Sequence, residues 1–174
     1  GDVLAVEVEP EILVRWTYSA TEWRPVMKKL AQKTWKEEIY TAIWFPVFGG
    51  IIFWQSAVWG VLGGLLLGYL YLKFRVYFVN KKFGLHPRAA EAEVVISDSY
   101  LFVNGNFIHF ADGHYFLRQL TLDNDPKLGD YLLFNIGWNT SKGYPAQMDV
   151  YVPVPPNCGQ DAERILTKFK QARS

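Results

Sequence analysis

The segment with the clearest potential for chemistry is His109-Phe110-Ala111-Asp112-Gly113-His114, which combines two histidines with an aspartate. Imidazole and carboxylate are groups that zinc and other divalent metals accept as ligands. However, Asp-Gly is also a favoured hairpin turn, which would leave the histidines on the surface at either side of it. Because no fourth ligand is visible, the turn is the favoured interpretation, and we predict no metal site.

The other polar residues do not form a catalytic motif. The chain has no phosphate-binding glycine loop, no nucleophile elbow and no HExxH sequence. The single cysteine, Cys158, excludes an internal disulfide and has no basic neighbour in sequence that would activate it. We therefore expect a protein that is not an enzyme, with no catalytic residues and no cofactor.

The most informative segment lies between the basic parts of the chain. The 33 residues from Tyr40 to Leu72 carry no charged side chain. This length is too great for one straight span and suits a helical hairpin that crosses a bilayer twice, with helices near 39–54 and 58–79. Trp54 and Trp59 bracket the predicted outer turn, where an aromatic belt is expected.

The basic residues are concentrated at both ends of this segment. Five lie between residues 24 and 36, and five more between residues 73 and 88. The positive-inside rule then places both flanks, and both termini, in the cytoplasm. The expected location of the protein is the inner (cytoplasmic) membrane. Anionic lipid headgroups, and not nucleic acid, are the expected contacts of these side chains. The predicted membrane-surface residues are Lys28, Lys29, Lys33, Lys73, Arg75, Lys81 and Lys82.

Glycines recur at helical spacing in the second predicted helix. Gly60, Gly64 and Gly68 form two overlapping GxxxG steps, which let another helix approach closely. The expected partner is the first helix, through Gly49 and Gly50. The alternative is that this face docks onto a different membrane protein, and Gly63, on a neighbouring face, leaves room for both arrangements.

The segments outside the hairpin are dominated by strand patterns. Residues 3–18 largely alternate between apolar and polar side chains, as in a strand. A basic amphipathic helix follows. It starts either at the capping-box sequence of Ser19 to Glu22 or, because of Pro25, nearer Arg24. After residue 92 come short strands separated by turn sequences, then a closing amphipathic helix at 160–172. The predicted strands are 93–96, 100–103, 107–110, 114–122, 131–138 and 148–154, with a loop at 123–130.

These patterns predict an α+β membrane protein with an antiparallel β domain. The expected parts are an N-terminal strand region (1–18) that can join the β domain, a juxtamembrane helix (19–38), a transmembrane hairpin (39–79), a linker (80–91) and the β domain with its C-terminal helix (92–174). Strands closed by an amphipathic helix are the outline of a pleckstrin-homology-like (PH-like) domain.

In this order of parts the chain resembles the bacterial PH-like, YcxB-type two-span membrane proteins. The residues that carry the resemblance are Leu13-Val14-Arg15-Trp16-Thr17-Tyr18-Ser19, the hairpin, Val94-Val95-Ile96-Ser97-Asp98 and Val152-Pro153-Val154-Pro155-Pro156. The resemblance implies a membrane-tethered interaction domain with a cytoplasmic PH-like part. It implies no catalytic residues.

Three classes of function follow, in order of preference. The first is a non-enzymatic accessory protein that docks on a larger integral membrane protein complex, with a homo-oligomer as the alternative assembly. Trp138 and Tyr144, beside a polar loop, are candidate docking residues or core residues. The second is a PH-like module that senses lipid headgroups, and the third, least favoured, is a metal-binding enzyme.

Overall fold

The computed structural model describes residues 9–85, 89–110 and 113–172. The chain divides into two compact units. The β unit comprises the chain up to Glu22 together with the chain from Ala90 onward, and the helical unit comprises Trp23–Ala89. The helical unit is therefore an insertion within the sequence of the β unit.

The elements follow one another in a simple order along the chain. A strand leads into two long helices, six further strands follow, and a helix ends the described chain. Their bounds are β1 Ile12–Ser19, α1 Ala20–Ile52, a 3-10 turn Trp54–Ser56, α2 Ala57–Phe83, β2 Glu91–Ser97, β3 Tyr100–Val103, β4 Asn106–His109, β5 Tyr115–Asp125, β6 Gly129–Asn139, β7 Pro145–Pro153 and α3 Gly159–Gln171.

The β unit contains two antiparallel sheets, ordered β1-β2-β3-β4 and β5-β6-β7. The first strand belongs to the same sheet as strands that follow the helices, because β1 pairs with β2 from Ile12↔Ser97 to Ser19↔Glu91. The chain thus leaves the sheet at Ser19 and re-enters it at the paired residue Glu91. All neighbouring strands in both sheets are consecutive strands of the described chain, and only β1 and β2 have helices between them.

Alternation along β1 builds one wall of the core. Val14, Trp16 and Tyr18 are buried, whereas Arg15 and Thr17 between them are exposed, which is the pattern of a strand with one face on the core. The opposite wall comes from inward residues of the second sheet. The fully buried side chains of β6, β7 and α3 include Leu132, Phe134, Ile136, Val150, Val152, Ala162 and Ile165.

Helix α3 closes the β unit and also holds β1. The Phe169 ring lies 6.5 Å from the rings of both Phe110 and Phe134, so it contacts residues associated with both sheets. The Arg164 guanidinium donates to the Leu13 carbonyl oxygen at 2.8 Å, and Lys168 pairs with Glu11. The C-terminal helix therefore stabilises the N-terminal strand.

The first helix is longer than its sequence pattern indicated. We expected a short juxtamembrane helix (19–38) followed by a separate span; instead α1 runs without a break for 33 residues, about 50 Å. It begins at Ala20 and not near Arg24. Ser19 caps it, since its hydroxyl accepts from the Glu22 N–H at 3.2 Å and donates to the Glu22 carboxylate at 3.1 Å. This cap fixes the start of the helix at Ala20, and Pro25 lies inside the helix.

The strands agree closely with the turn chemistry, except between β5 and β6. The predicted loop 123–130 is mostly strand, and only Pro126–Leu128 forms the turn. The Asp125 carboxylate accepts from the N–H groups of Lys127 and Leu128, and Gly129 adopts a positive φ of 70°. Residues 3–8 of the predicted first strand lie outside the described residues.

Tyr18 connects the first strand with the last, and this contact makes a prediction. Its hydroxyl donates to the Pro153 carbonyl oxygen at 2.5 Å, and burial raises the pKa of the Tyr18 phenol. Tyr18→Phe should lower the free energy of unfolding by about 1 kcal/mol at neutral pH. The raised pKa adds an alkaline effect: the contribution of neutral Tyr18 is complete below the unfolded pKa of about 10 and is lost as pH rises above it.

Thermal unfolding of the detergent-solubilised protein between pH 7 and pH 11 measures both effects. The wild type should lose more stability above pH 10 than the Tyr18→Phe variant does. Tyr144→Phe is the matched control, because this hydroxyl belongs to an exposed ring. Parallel alkaline losses in wild type and Tyr18→Phe would contradict the assignment.

Candidate functional site

The helical unit exposes apolar side chains where a water-soluble protein would have polar ones. Of the described helices, α2 with the turn before it, Trp54–Phe83, is long and apolar enough to cross a membrane. The charge-free part of α1, residues 39–52, is about 21 Å long and falls short of a hydrocarbon core of about 30 Å. The structure thus provides one candidate span by length and composition.

Glycines allow the backbones of α1 and α2 to contact each other directly. A methyl group on Gly60 would lie 2.2 Å from the Gly49 carbonyl oxygen, and one on Gly64 would lie 2.4 Å from the Phe45 carbonyl oxygen. Both distances are far below a van der Waals contact, so only glycine fits. The predicted stripe of Gly60, Gly64 and Gly68 therefore packs within the chain, against α1.

Pro46 explains the position of the third glycine. Proline has no N–H, so the Ala42 carbonyl loses its usual partner within α1. A methyl group on Gly68 would lie 2.9 Å from that carbonyl oxygen. The Gly68 backbone consequently covers an acceptor that the helix itself leaves open, and such Cα–H contacts with carbonyls recur at helix–helix interfaces.

A polar cluster joins the other end of the helix pair. The Tyr71 hydroxyl donates to Glu38 at 2.6 Å, and the Arg75 guanidinium contacts the other oxygen of the same carboxylate at 2.9 Å. Sequence reasoning missed this cluster. The sequence does contain a signal for this pair. Glu38 is the last acid before the charge-free run, and Arg75 lies shortly after the end of that run. A helical hairpin brings these two ends of the run together.

The basic residues of the helical unit make several kinds of contact. Lys33 forms an i,i+4 ion pair with Glu37 at 3.5 Å, while Lys73 and Lys82 lie over the rings of Tyr69 and Phe83. Lys28, Lys36 and Lys81 have exposed side chains. The structure therefore leaves the membrane-surface assignment as a prediction.

A groove of about 760 Å³ runs along one side of the helix pair. Its floor contains glycines of both helices, and its walls are large aromatic rings, with Trp44 57%, Phe48 54% and Trp59 76% exposed. No charged residue lines it. Its lining is Thr41, Trp44, Phe45, Phe48, Gly49, Ile52, Phe53, Ser56, Trp59, Gly60, Gly63, Gly64 and Leu67.

Two glycines explain why one side of the pair holds this groove. A methyl group on Gly63 would have no neighbouring atom within 4 Å, so this position is open space. At Gly50, by contrast, the Val61 side chain would lie 3.1 Å from such a methyl. Gly50 thus belongs to the packed contact, whereas Gly63, the glycine on the neighbouring face, opens the groove.

The β unit presents a second exposed cluster, which the sequence did not reveal. Tyr100, Phe102, Phe107 and His109 lie on one face of strands β3 and β4, with ring centroids 4.6–5.9 Å apart between contacting pairs. Phe107 is 56% exposed. The alternation of side chains along β3 and β4 predicts that these residues share one face of the sheet. It does not predict that this face is exposed and not packed against other parts of the chain.

The two candidate docking residues differ in environment. The Trp138 ring is half-buried and lies 5.9 Å from the ring of Tyr115 on the neighbouring strand. Tyr144 is 68% exposed in the β6–β7 turn, where its N–H donates to the Thr140 hydroxyl at 3.1 Å. Tyr144 is therefore available to a partner, while Trp138 contributes mainly to packing.

Both histidines of the candidate metal-ligand segment make aromatic contacts. The His109 ring stacks with that of Phe107 at 5.7 Å, and the His114 ring contacts that of Tyr115 at 4.5 Å. Asp112 lies outside the described residues. Among the residues that the structure does describe, no group of three potential metal ligands occurs.

Comparisons of the chain with family models, with curated proteins and with solved structures found no match. The resemblance to YcxB-type proteins consequently stays a prediction.

The glycine contact makes a prediction with a matched pair of variants. Gly64→Ala should destabilise the helical unit by about 1–3 kcal/mol, because its methyl meets backbone that cannot move aside cheaply. Gly63→Ala, one residue away on the same helix, adds the same methyl into open space and should be neutral or slightly stabilising. Thermal unfolding in mild detergent gives the comparison. Equal effects at both positions would contradict this packing.

Proposed function

We propose that this chain is a non-enzymatic accessory protein of the cytoplasmic membrane, anchored by a two-span helical hairpin and docking on a larger membrane protein assembly. The observation that carries the proposal is the open, charge-free groove on the helix pair. The aromatic side chains of its walls are largely exposed. Hydrocarbon or another apolar surface must cover them, because large exposed apolar surfaces are unfavourable in water.

Strand pairing supports two spans rather than one. Residues Ile12–Ser19 and Glu91–Ser97 hydrogen-bond to each other in one sheet, so they lie on the same side of any membrane. The chain between them must then cross the membrane an even number of times. If α2 crosses, α1 has to cross as well, which its length of 33 residues permits.

The charged end of the hairpin supports the same arrangement. The charge-free part of α1 is short, but the Glu38 carboxylate next in the helix is paired with Arg75 and accepts from Tyr71. A paired and hydrogen-bonded carboxylate enters the interfacial region at lower cost than a free one. The membrane span of α1 can therefore begin before residue 39, closer to the basic residues at 24–36.

The basic flanks support a cytoplasmic β unit. Lys28, Lys33, Lys81 and Lys82 belong to the end of the helix pair where the chain enters and leaves the β unit, and the positive-inside rule assigns this end to the cytoplasm. Two antiparallel sheets closed by a C-terminal helix agree with a PH-like domain. Its exposed aromatic cluster around Phe107 offers a further docking surface.

Accessibility of single cysteines tests the two-span topology. In a Cys158→Ser background, Ser56→Cys places a thiol in the turn between the helices, and Ser141→Cys places one in an exposed turn of the β unit. With a membrane-impermeant maleimide on intact cells, the first should be labelled and the second only after permeabilisation. Equal labelling of both on intact cells would contradict an even number of crossings with a cytoplasmic β unit.

Purification in mild detergent from native membranes tests the accessory role. We expect a second integral membrane protein to co-elute in constant stoichiometric ratio, because close packing of a partner in the groove persists in mild detergent. A chain that elutes alone and binds anionic vesicles in a salt-dependent way would instead favour lipid-headgroup sensing by the basic residues. Neutral vesicles of equal size are the control.

A further inference from the structure

We infer that the groove between α1 and α2 receives an uncharged transmembrane helix of a different membrane protein. The inference deepens the proposed accessory function and rests on it, since it names the surface that docks and the chemistry of the partner segment. Three features of the groove identify this occupant: its continuity with the α1–α2 contact, its length and its concave shape.

The groove continues the interface between the two helices. Gly49, Gly60 and Gly64 belong both to the backbone contact and to the groove floor, and Gly63 extends that floor outward. A third helix placed there would pack against both helices, over Gly63 and between the aromatic rings of the walls. Close packing of this kind is the main attraction between helices in lipid, where burial of apolar surface gains nothing.

The length of the groove favours a helix over a lipid chain. Its lining extends along α1 from Thr41 to Ile52 and ends beyond it at Ser56, about 20 Å along the axis. One leaflet provides only about half of a hydrocarbon core of about 30 Å. The groove therefore passes the midplane, beyond the reach of a phospholipid acyl chain that stays in one leaflet. Its uncharged lining requires an uncharged occupant over that depth.

The concave shape argues against a second copy of this chain. A two-fold axis through the groove would place the grooves of both copies opposite each other and enclose a void, because such a contact brings the same surface of each copy together. Contact between the groove and another face of a second copy is heterologous and, without ring closure, extends without limit. A convex helix from a different protein avoids both problems.

Site-specific photocrosslinking in native membranes tests the inference. The photoreactive residue p-benzoylphenylalanine replaces Phe48, whose ring forms a groove wall, or Leu66, an exposed residue of α2 outside the groove lining. From position 48 we expect a crosslink to an uncharged, apolar segment of another membrane protein, identified by peptide mass spectrometry. Position 66 should give a much weaker product or none with that segment.

Filling the groove supplies the matched test. Gly63→Leu projects into open space, so the helix pair should keep its thermal stability while the crosslink yield at position 48 falls on the order of tenfold or more. Leu66→Phe, which enlarges a side chain outside the groove, should leave that yield unchanged. Crosslinks to lipid alone, or to a second copy, would overturn the inference, as would an unchanged yield in the Gly63→Leu protein.

The co-purification experiment shows whether only the inference about the groove fails or the proposed accessory function fails as well. If the partner co-elutes equally with wild type and Gly63→Leu, the groove is not the docking surface, although the accessory function stands. If no membrane protein co-elutes with the wild type, the accessory function fails and the inference with it.

Discussion

The pairing of β1 with β2 is the constraint on which the rest of the molecule depends. Ser19 and Glu91 are neighbours in the sheet, although the whole helical unit lies between them in sequence. The helices must therefore return the chain to its starting point. A hairpin does this, and the Trp23 indole N–H donating to the Phe83 carbonyl oxygen at 3.1 Å joins the beginning of α1 to the end of α2.

The contact inside the helical unit is made mainly by backbone atoms. This is the contact expected for the proposed membrane hairpin, because hydrocarbon removes the usual reason for helices to associate. Lipid tails are as apolar as leucine, so close approach and weak Cα–H contacts have to supply the attraction. Glycines on α2 face carbonyls of Phe45 and Gly49, and Pro46 frees a further carbonyl, that of Ala42, for Gly68. The proline and the glycines therefore act together.

Much of this fold could be predicted from the sequence because its signals are local. Turn residues such as Asn104-Gly105, both with positive φ, locate the β3–β4 hairpin, and the spacing of Gly60, Gly64 and Gly68 predicts a helix contact. The missed features depend on distant partners. The groove requires knowing that Val61 fills one side and Gly63 leaves the other open, and the Glu38–Arg75 pair requires a folded hairpin.

The groove beside Gly63 is not required by the glycine contact that holds α1 and α2 together. A pair of helices held by Gly49, Gly60 and Gly64 does not need glycine at position 63, because a methyl group there would meet no described atom of the chain within 4 Å. Glycine at this position costs helix propensity of about 1 kcal/mol relative to alanine. The proposed partner helix, packed against the exposed rings of Trp44 and Trp59, would offset this cost.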